Sequence, residues 1–190
     1  MDIEMNRLII RKHGVIGMAL RKARASDLTR VMEIKESVVP LMIESGNTQW
    51  SEDYPDLERF KEDLRMETLY VFEEEGCIKG FAVVDDDHPY PYDDIPWELT
   101  RADSRALHRM AVDPAYQGNG ISTGMMEEIE DMLIEKGIKG IHTDTSLENE
   151  KMQYQFEKNE FEFKGKMNLD DNLDDWYVAY EKVFEDDSTD

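Results

Sequence analysis

The stretch MAVDPAYQGNGISTG at residues 110–124 constrains the fold more than any other part of the chain. An apolar strand ending at Val112 runs into a turn that holds Gly118 and Gly120. A helix then begins, with Ile121, Met125, Met126, Ile129, Met132 and Leu133 on one stripe. Glycine lets a backbone turn tightly and lets a ligand come close to it. The first N–H groups of a helix have no internal partner and lie at the positive end of its dipole, so this turn suits phosphate. No Lys-Ser/Thr pair follows Gly120, which excludes a Walker loop. Three expected strands precede the segment, which argues against a dinucleotide fingerprint.

The remaining periodicity sets out a single α/β unit. A strand is expected over 18–25, then a helix capped by Ser26 with Asp27 in its first turn, and closed by Gly46. A second helix is expected over 55–66, and a hairpin over 68–72 and 77–84 about the turn EEEG. Residues 85–98 carry three prolines among acids and aromatics, which excludes a regular element and predicts a solvated loop. Strands at 106–112 and 139–145 flank the periodic helix. A helix at 148–158 and an antiparallel pair at 161–169 and 176–184 complete one mixed sheet with helices packed on it. Residues 1–17 read as an extension and 185–190 as an acidic tail.

Charge bears on partners. The chain has 44 acidic and 22 basic residues, a net charge of −22. Such a surface repels phosphate backbones and anionic lipid, so neither nucleic acid nor membrane is expected as a partner. No apolar run has the length of a membrane span, and the first residues do not read as a secretory signal, so the cytoplasm is the expected compartment. Cys77 is the single cysteine, which excludes an internal disulfide. No metal is expected, and the sequence leaves a homodimer open.

The segment Gln117-Gly118-Asn119-Gly120-Ile121-Ser122 resembles the pyrophosphate motif, Q/R-x-x-G-x-G/A, of the GCN5-related N-acetyltransferase (GNAT) family. Ala111, Val112, Asp113, Pro114 and Tyr116 resemble the strand that precedes that motif. Asn149, Met152, Phe156 and Phe161 resemble the family's N-x-x-a-x-x-l-Y-x-x-x-G-F pattern downstream. The resemblance covers residues 18–184. It implies a mixed, mostly antiparallel central sheet with flanking helices, split between two central strands. It also implies acetyl-CoA as co-substrate and a primary amine as acceptor. Met110, Ala111 and Val112 would meet the pantetheine arm, Gln117 to Thr123 the pyrophosphate, and Asn149 and Phe156 the cofactor from the next helix. Asn149 reads equally well as a plain helix cap.

Two positions depart from the family. Phe156 stands where a tyrosine often protonates the leaving thiolate, and Glu160 stands at a usual glycine. Tyr154 lies on another helix face and does not replace the lost hydroxyl. The candidate bases for the acceptor ammonium are Asp144 and His108, with Glu98 read as solvated. Trp50 and Tyr92 are expected as aromatic walls of the acceptor site, by a Gln49-Trp50…Tyr54-Pro55 loop like that of many bacterial members. Glu52, Asp53, Asp93 and Asp94 would make its mouth attractive to cationic amines. The alternative to an enzyme is an acyl-CoA-binding regulatory module with little turnover.

Overall fold

The computed structural model describes residues 18–169 and 175–185. The 1–17 extension lies outside that range, as does the 185–190 tail apart from Glu185. The elements follow the expected order. They are β1 (Met18–Lys22), α1 (Leu28–Glu44), α2 (Leu57–Arg65), β2 (Leu69–Glu74), β3 (Cys77–Asp85), β4 (Ser104–Val112), α3 (Ile121–Glu135), β5 (Gly140–Ser146), α4 (Glu150–Lys158), β6 (Glu162–Met167) and β7 (Tyr177–Val183). The strands form one sheet in the order β1-β2-β3-β4-β5-β7-β6. Every neighbouring pair is antiparallel except β4 with β5.

Period-two alternation distributes the core between two faces. Tyr70 and Phe72 on β2, with Ala82 and Val84 on β3, point to the face covered by α3, whose stripe of Ile121, Met125, Met126, Ile129 and Leu133 is buried there with Phe156 of α4. Leu69, Val71, Phe81 and Val83 point the other way, against Val31, Ile34 and Val39 of α1 and Phe60 of α2. The β2–β3 turn matches the EEEG expectation in detail. Glu75 and Gly76 both have positive φ, 52° and 77°, as a two-residue hairpin turn of the primed type demands.

Local chemistry differs from the sequence reading at three places. Ser26 is not a cap. Ala25–Asp27 form a 3₁₀ turn, and it is the Asp27 carboxylate that accepts the Arg24 N–H at 2.8 Å and the Arg21 guanidinium at 2.7 Å. Glu160 follows the C-cap of α4 at φ 66°, so a glycine-type conformation persists there with a side chain that is strained in it. The 85–98 loop is not simply solvated. Tyr92 and Ile95 are buried with Met167 and Ala179, and the His88 imidazole is buried within 3.2 Å of Ser104 Oγ.

Candidate active site

The two parallel strands meet over only a few residues. Pairing of β4 with β5 runs from Ser104↔Gly140 to Leu107↔Thr143 and stops. Thr143 Oγ1 donates to the Leu107 carbonyl at 2.9 Å and closes this last rung. Beyond it β5 continues to pair with β7 through Asp144, Thr145 and Ser146, while β4 continues to pair with β3. The divergence has a local cause. The register shifts between Val83↔His108 and Phe81↔Ala111, so Arg109 and Met110 oppose the single residue Ala82. This is a β-bulge, which bends its strand. Arg109 sits in it at φ 42°, held by two hydrogen bonds from its guanidinium to Asp63 of α2, at 2.8 and 3.0 Å. Asp63 is only 2% exposed and also meets Arg59.

Past the bulge, Asp113 N–H donates to the Lys79 carbonyl. Alternation therefore turns the N–H and C=O of Val112 away from β3, toward the opening. The strand then enters the glycine turn. Gly118 and Gly120 have φ of 82° and 77°, and a Cβ built on either meets no atom within 4 Å. Both positions require the left-handed region and both face open space. The first bond of α3 is Gly124 N–H to the Gly120 carbonyl, so the N–H groups of Ile121, Ser122 and Thr123 have no intrahelical partner. Thr123 Oγ1 is buried and has no partner either. The Val112 carbonyl accepts the Gln117 side-chain amide at 3.4 Å, while the unpaired donors, the space at both glycines and the Val112 N–H turned to the opening fit an anionic, peptide-like ligand.

The opening is a cleft of about 1010 Å³ lined from α1 to α4. Asp144, the first β5 residue past the last β4 rung, faces it. Its carboxylate accepts the Tyr92 hydroxyl at 2.6 Å. Burial pushes the Asp144 carboxyl above the ordinary aspartate range, and the Tyr92 hydroxyl and His108 offset this only in part. Tyr92 is raised well above an ordinary phenol by its own burial and by Asp144. His108 Nε2 donates to the Asp87 carbonyl at 3.0 Å and lies 3.4 Å from Asp85 Oδ1. Burial lowers this imidazole, but Asp85 and Asp144 outweigh burial and hold it above the ordinary histidine value.

A family model described as acetyltransferase (GNAT) matches residues 18–161. The chain belongs to the GNAT acetyltransferase family. A GNAT acetyltransferase from Streptococcus agalactiae is 25% identical over 91% of this chain and 99% of its own, with a TM-score of 0.79. The fold is shared with a GNAT acetyltransferase from Listeria monocytogenes, at TM-score 0.68 and 24% identity over 88% of this chain and 95% of that one. It is shared too with the ribosomal-protein-S18-alanine N-acetyltransferase of Escherichia coli, at TM-score 0.62 and 15% identity over 90% and 98%. No curated protein matches the sequence at a significant level.

Within this GNAT cleft the expected cofactor residues come together. Met110, Ala111, Val112, Gln117, Gly118, Gly120, Ile121, Ser122 and Thr123 line one wall, and Asn149 and Phe156 line it from α4. Asn119 is exposed at the tip of the turn and is not part of the lining. Asn149 caps α4, accepting the Met152 N–H at 3.2 Å and donating to Thr145 Oγ1 at 2.9 Å. Phe156 is packed at about 5.3 Å from the rings of Phe161 and Tyr180. Lys151 and Lys158 line the same side.

The acceptor side needs correction. Trp50 lines the cleft, but its ring stacks on Phe81, 8° from parallel. Tyr92 is not a wall. It is 1% exposed, outside the lining, and reaches the cleft only through the Asp144 carboxylate. Nor do Glu52, Asp53, Asp93 or Asp94 line the cleft. Asp93 is turned to Arg101 at 2.6 Å, and the Glu52 carbonyl accepts from Lys35. Glu98 is exposed away from the lining, and its backbone N–H binds Glu181.

Sequence reasoning missed Asp63, because nothing local marks its partner on a distant strand. It missed Gln49 as well, although the Gln49-Trp50 loop carries part of the family resemblance. The Gln49 Oε1 spans the split to within 3.4 Å of the Ser146 N–H and 3.5 Å of Thr145 Oγ1.

Proposed function

We propose that this chain is an acetyl-CoA-dependent N-acetyltransferase that moves the acetyl group directly to a primary amine, with both substrates in the β4–β5 cleft at once. The observation that carries this reading is the parting of β4 from β5 beside an open helix start. The strand edge at Val112, its N–H turned to the opening and its carbonyl held by the long 3.4 Å bond from Gln117, suits the amides of a pantetheine arm as an added strand. The N–H groups of Ile121 to Thr123, with Thr123 Oγ1, suit a pyrophosphate. Acetyl-CoA supplies a thioester. The chain's own part is to hold its carbonyl against backbone N–H donors of β4 and to remove a proton from the acceptor.

Asp144 is the better placed of the two candidate bases. The His108 Nε2 hydrogen is committed to the Asp87 carbonyl, which leaves only Nδ1 of that ring to take a proton. Asp144 faces the cleft, and its raised pKa makes its carboxylate a stronger base than that of an exposed aspartate. His108 and Tyr92 both favour the Asp144 carboxylate, His108 through its charge when protonated and Tyr92 as a hydrogen-bond donor. Phe156 itself offers no hydroxyl to the leaving group. A thiol with a reference pKa of about 8.5 leaves as thiolate near neutrality without one.

Phe156 also favours the second reading, a module that binds acyl-CoA without turnover. Release of free thiol from acetyl-CoA, measured against a panel of alkylamines, polyamines, amino acids and peptides, separates the two. Amine-dependent release supports the enzyme. Tight acetyl-CoA binding with no release across the panel supports the module.

A further inference from the structure

We propose that the acceptor is a primary amine on an apolar body, an alkyl or aryl amine with no second charge, selected by Val38, Leu41, Met42 and Trp50. This names the second substrate of the cleft and rests on the N-acetyltransfer reading above. The wall facing away from the glycine turn is built by the last turns of α1 and by the loop after it. Val38, Leu41 and Met42 contribute from the helix, Ser45 from its C-cap, and Gln49 and Trp50 from the loop. None of these side chains carries charge. Leu41 is 46% exposed and yet lines the cleft, so a large aliphatic group stands open at the mouth. Val38 and Met42 are packed from behind by the buried cluster of Val39, Phe60 and Phe81, which holds the wall in place.

The charges bordering this wall come from two short stretches. Asp144 lies on β5. His108, already tied to Asp85 and Asp87, and Arg109, whose guanidinium turns to Asp63, lie on β4. The remaining cleft charges, Glu148, Glu150, Lys151 and Lys158, sit beyond the split at and within α4, two of each sign, with Glu148 engaged by Ser146 Oγ at 2.5 Å. Asp144 is the carboxylate that lies ahead of α4 to meet an ammonium, and the body of the amine behind that ammonium lies on the hydrocarbon of the α1 wall. A second cation resting on the α1 wall finds no carboxylate among Val38, Leu41, Met42, Ser45, Gln49 and Trp50, and Glu52, Asp53, Asp93 and Asp94 stand outside the lining. A carboxylate on the acceptor would meet Asp144 and apolar side chains. Either extra charge must lose its water without a partner, which disfavours it strongly.

The test uses amines of one length. Hexylamine, 1,6-diaminohexane and 6-aminohexanoate are each given to the chain with acetyl-CoA, and kcat/KM is read from thiol release. Hexylamine is expected to exceed both charged analogues by about tenfold or more. From butylamine to hexylamine kcat/KM should rise about threefold to fourfold per methylene, the worth of burying one. Leu41→Glu lies at an exposed helix position, so the fold should persist, and acetyl-CoA affinity by calorimetry should be unchanged. In that variant the preference should move to the diamine. Preference of the unaltered chain for the diamine, the amino acid or any other charged class in the wider panel overturns this proposal and leaves N-acetyl transfer standing. Silence of every amine, with acetyl-CoA bound, overturns both.

Discussion

The two walls of the cleft differ in the groups they offer. The wall at the glycine turn presents backbone: the strand edge at Val112 and the unpaired N–H groups of Ile121 to Thr123. The wall at α1 and Asp144 works through side chains brought from α1, the loop after it, the 85–98 loop and β5. A backbone site tolerates change at most of its positions, because every residue but proline supplies the same N–H. It fails only where a side chain obstructs. A side-chain site depends on each group separately, and so can be retuned by single changes. In the proposed function the first wall serves the common donor and the second selects the acceptor.

The largest effect that separates the walls is expected at Asp144. Asp144→Asn should lower kcat by about 10²–10⁴-fold, the usual worth of a general base, with acetyl-CoA affinity by calorimetry nearly unchanged. Since the base must be ionised, kcat/KM should fall as pH drops through the raised Asp144 pKa. The variant should lose that acid limb. A variant that keeps both rate and limb removes Asp144 from the chemistry.

On the other wall, Gly120→Glu should raise the acetyl-CoA dissociation constant by about tenfold or more. It forces a side chain into φ 77°, at a cost of about 1–2 kcal/mol, and adds a like charge beside the phosphates. Unchanged binding in a folded variant would remove the phosphates from this turn. Tyr92→Phe should act more gently. Losing one hydrogen bond is worth about threefold to tenfold in rate. Because the hydroxyl lowers the Asp144 pKa, the acid limb should move to higher pH, a shift that loss of packing alone does not produce. The smallest effect is expected from Phe156→Tyr. If the thiolate leaves unaided, restoring a hydroxyl should change kcat by less than about threefold. A gain of tenfold or more shows that thiolate protonation limits the native chain.

The walls also differ in how far the sequence foretells them. The glycine turn is legible because a positive φ facing open space selects one residue type, and Gly118 and Gly120 write it directly. The helix stripe and the Glu75-Gly76 hairpin are local in the same sense. The bulge is not legible, since Arg109 takes a positive φ without being glycine and its cause, Asp63, lies 46 positions away. Tyr92 draws notice for its ring, whereas its use is the hydroxyl that meets Asp144, 52 positions away. The acidic loop misleads for a related reason. Its charge predicts solvation, but His88, Tyr92 and Ile95 anchor it to the sheet, and only tertiary packing shows which side chains turn inward. Ser26 fails as a cap because a 3₁₀ turn places Asp27 in reach of Arg24 first.

The short β4–β5 pairing also makes the sheet two half-sheets joined by a four-rung seam, with α3 as the crossover that parallel pairing requires. The groups proposed to bind acetyl-CoA sit on that crossover and at the seam's open end. Any fluctuation that unzips the seam therefore dismantles the binding site, so ligand and seam stabilise one another. At a ligand concentration a hundred times its dissociation constant, such linkage adds about 2.7 kcal/mol to the free energy of opening. Amide exchange at Ala106, Leu107, His142 and Thr143 would then slow by about a hundredfold on binding, while the β2–β3 hairpin, closed by its own turn, would exchange at its former rate.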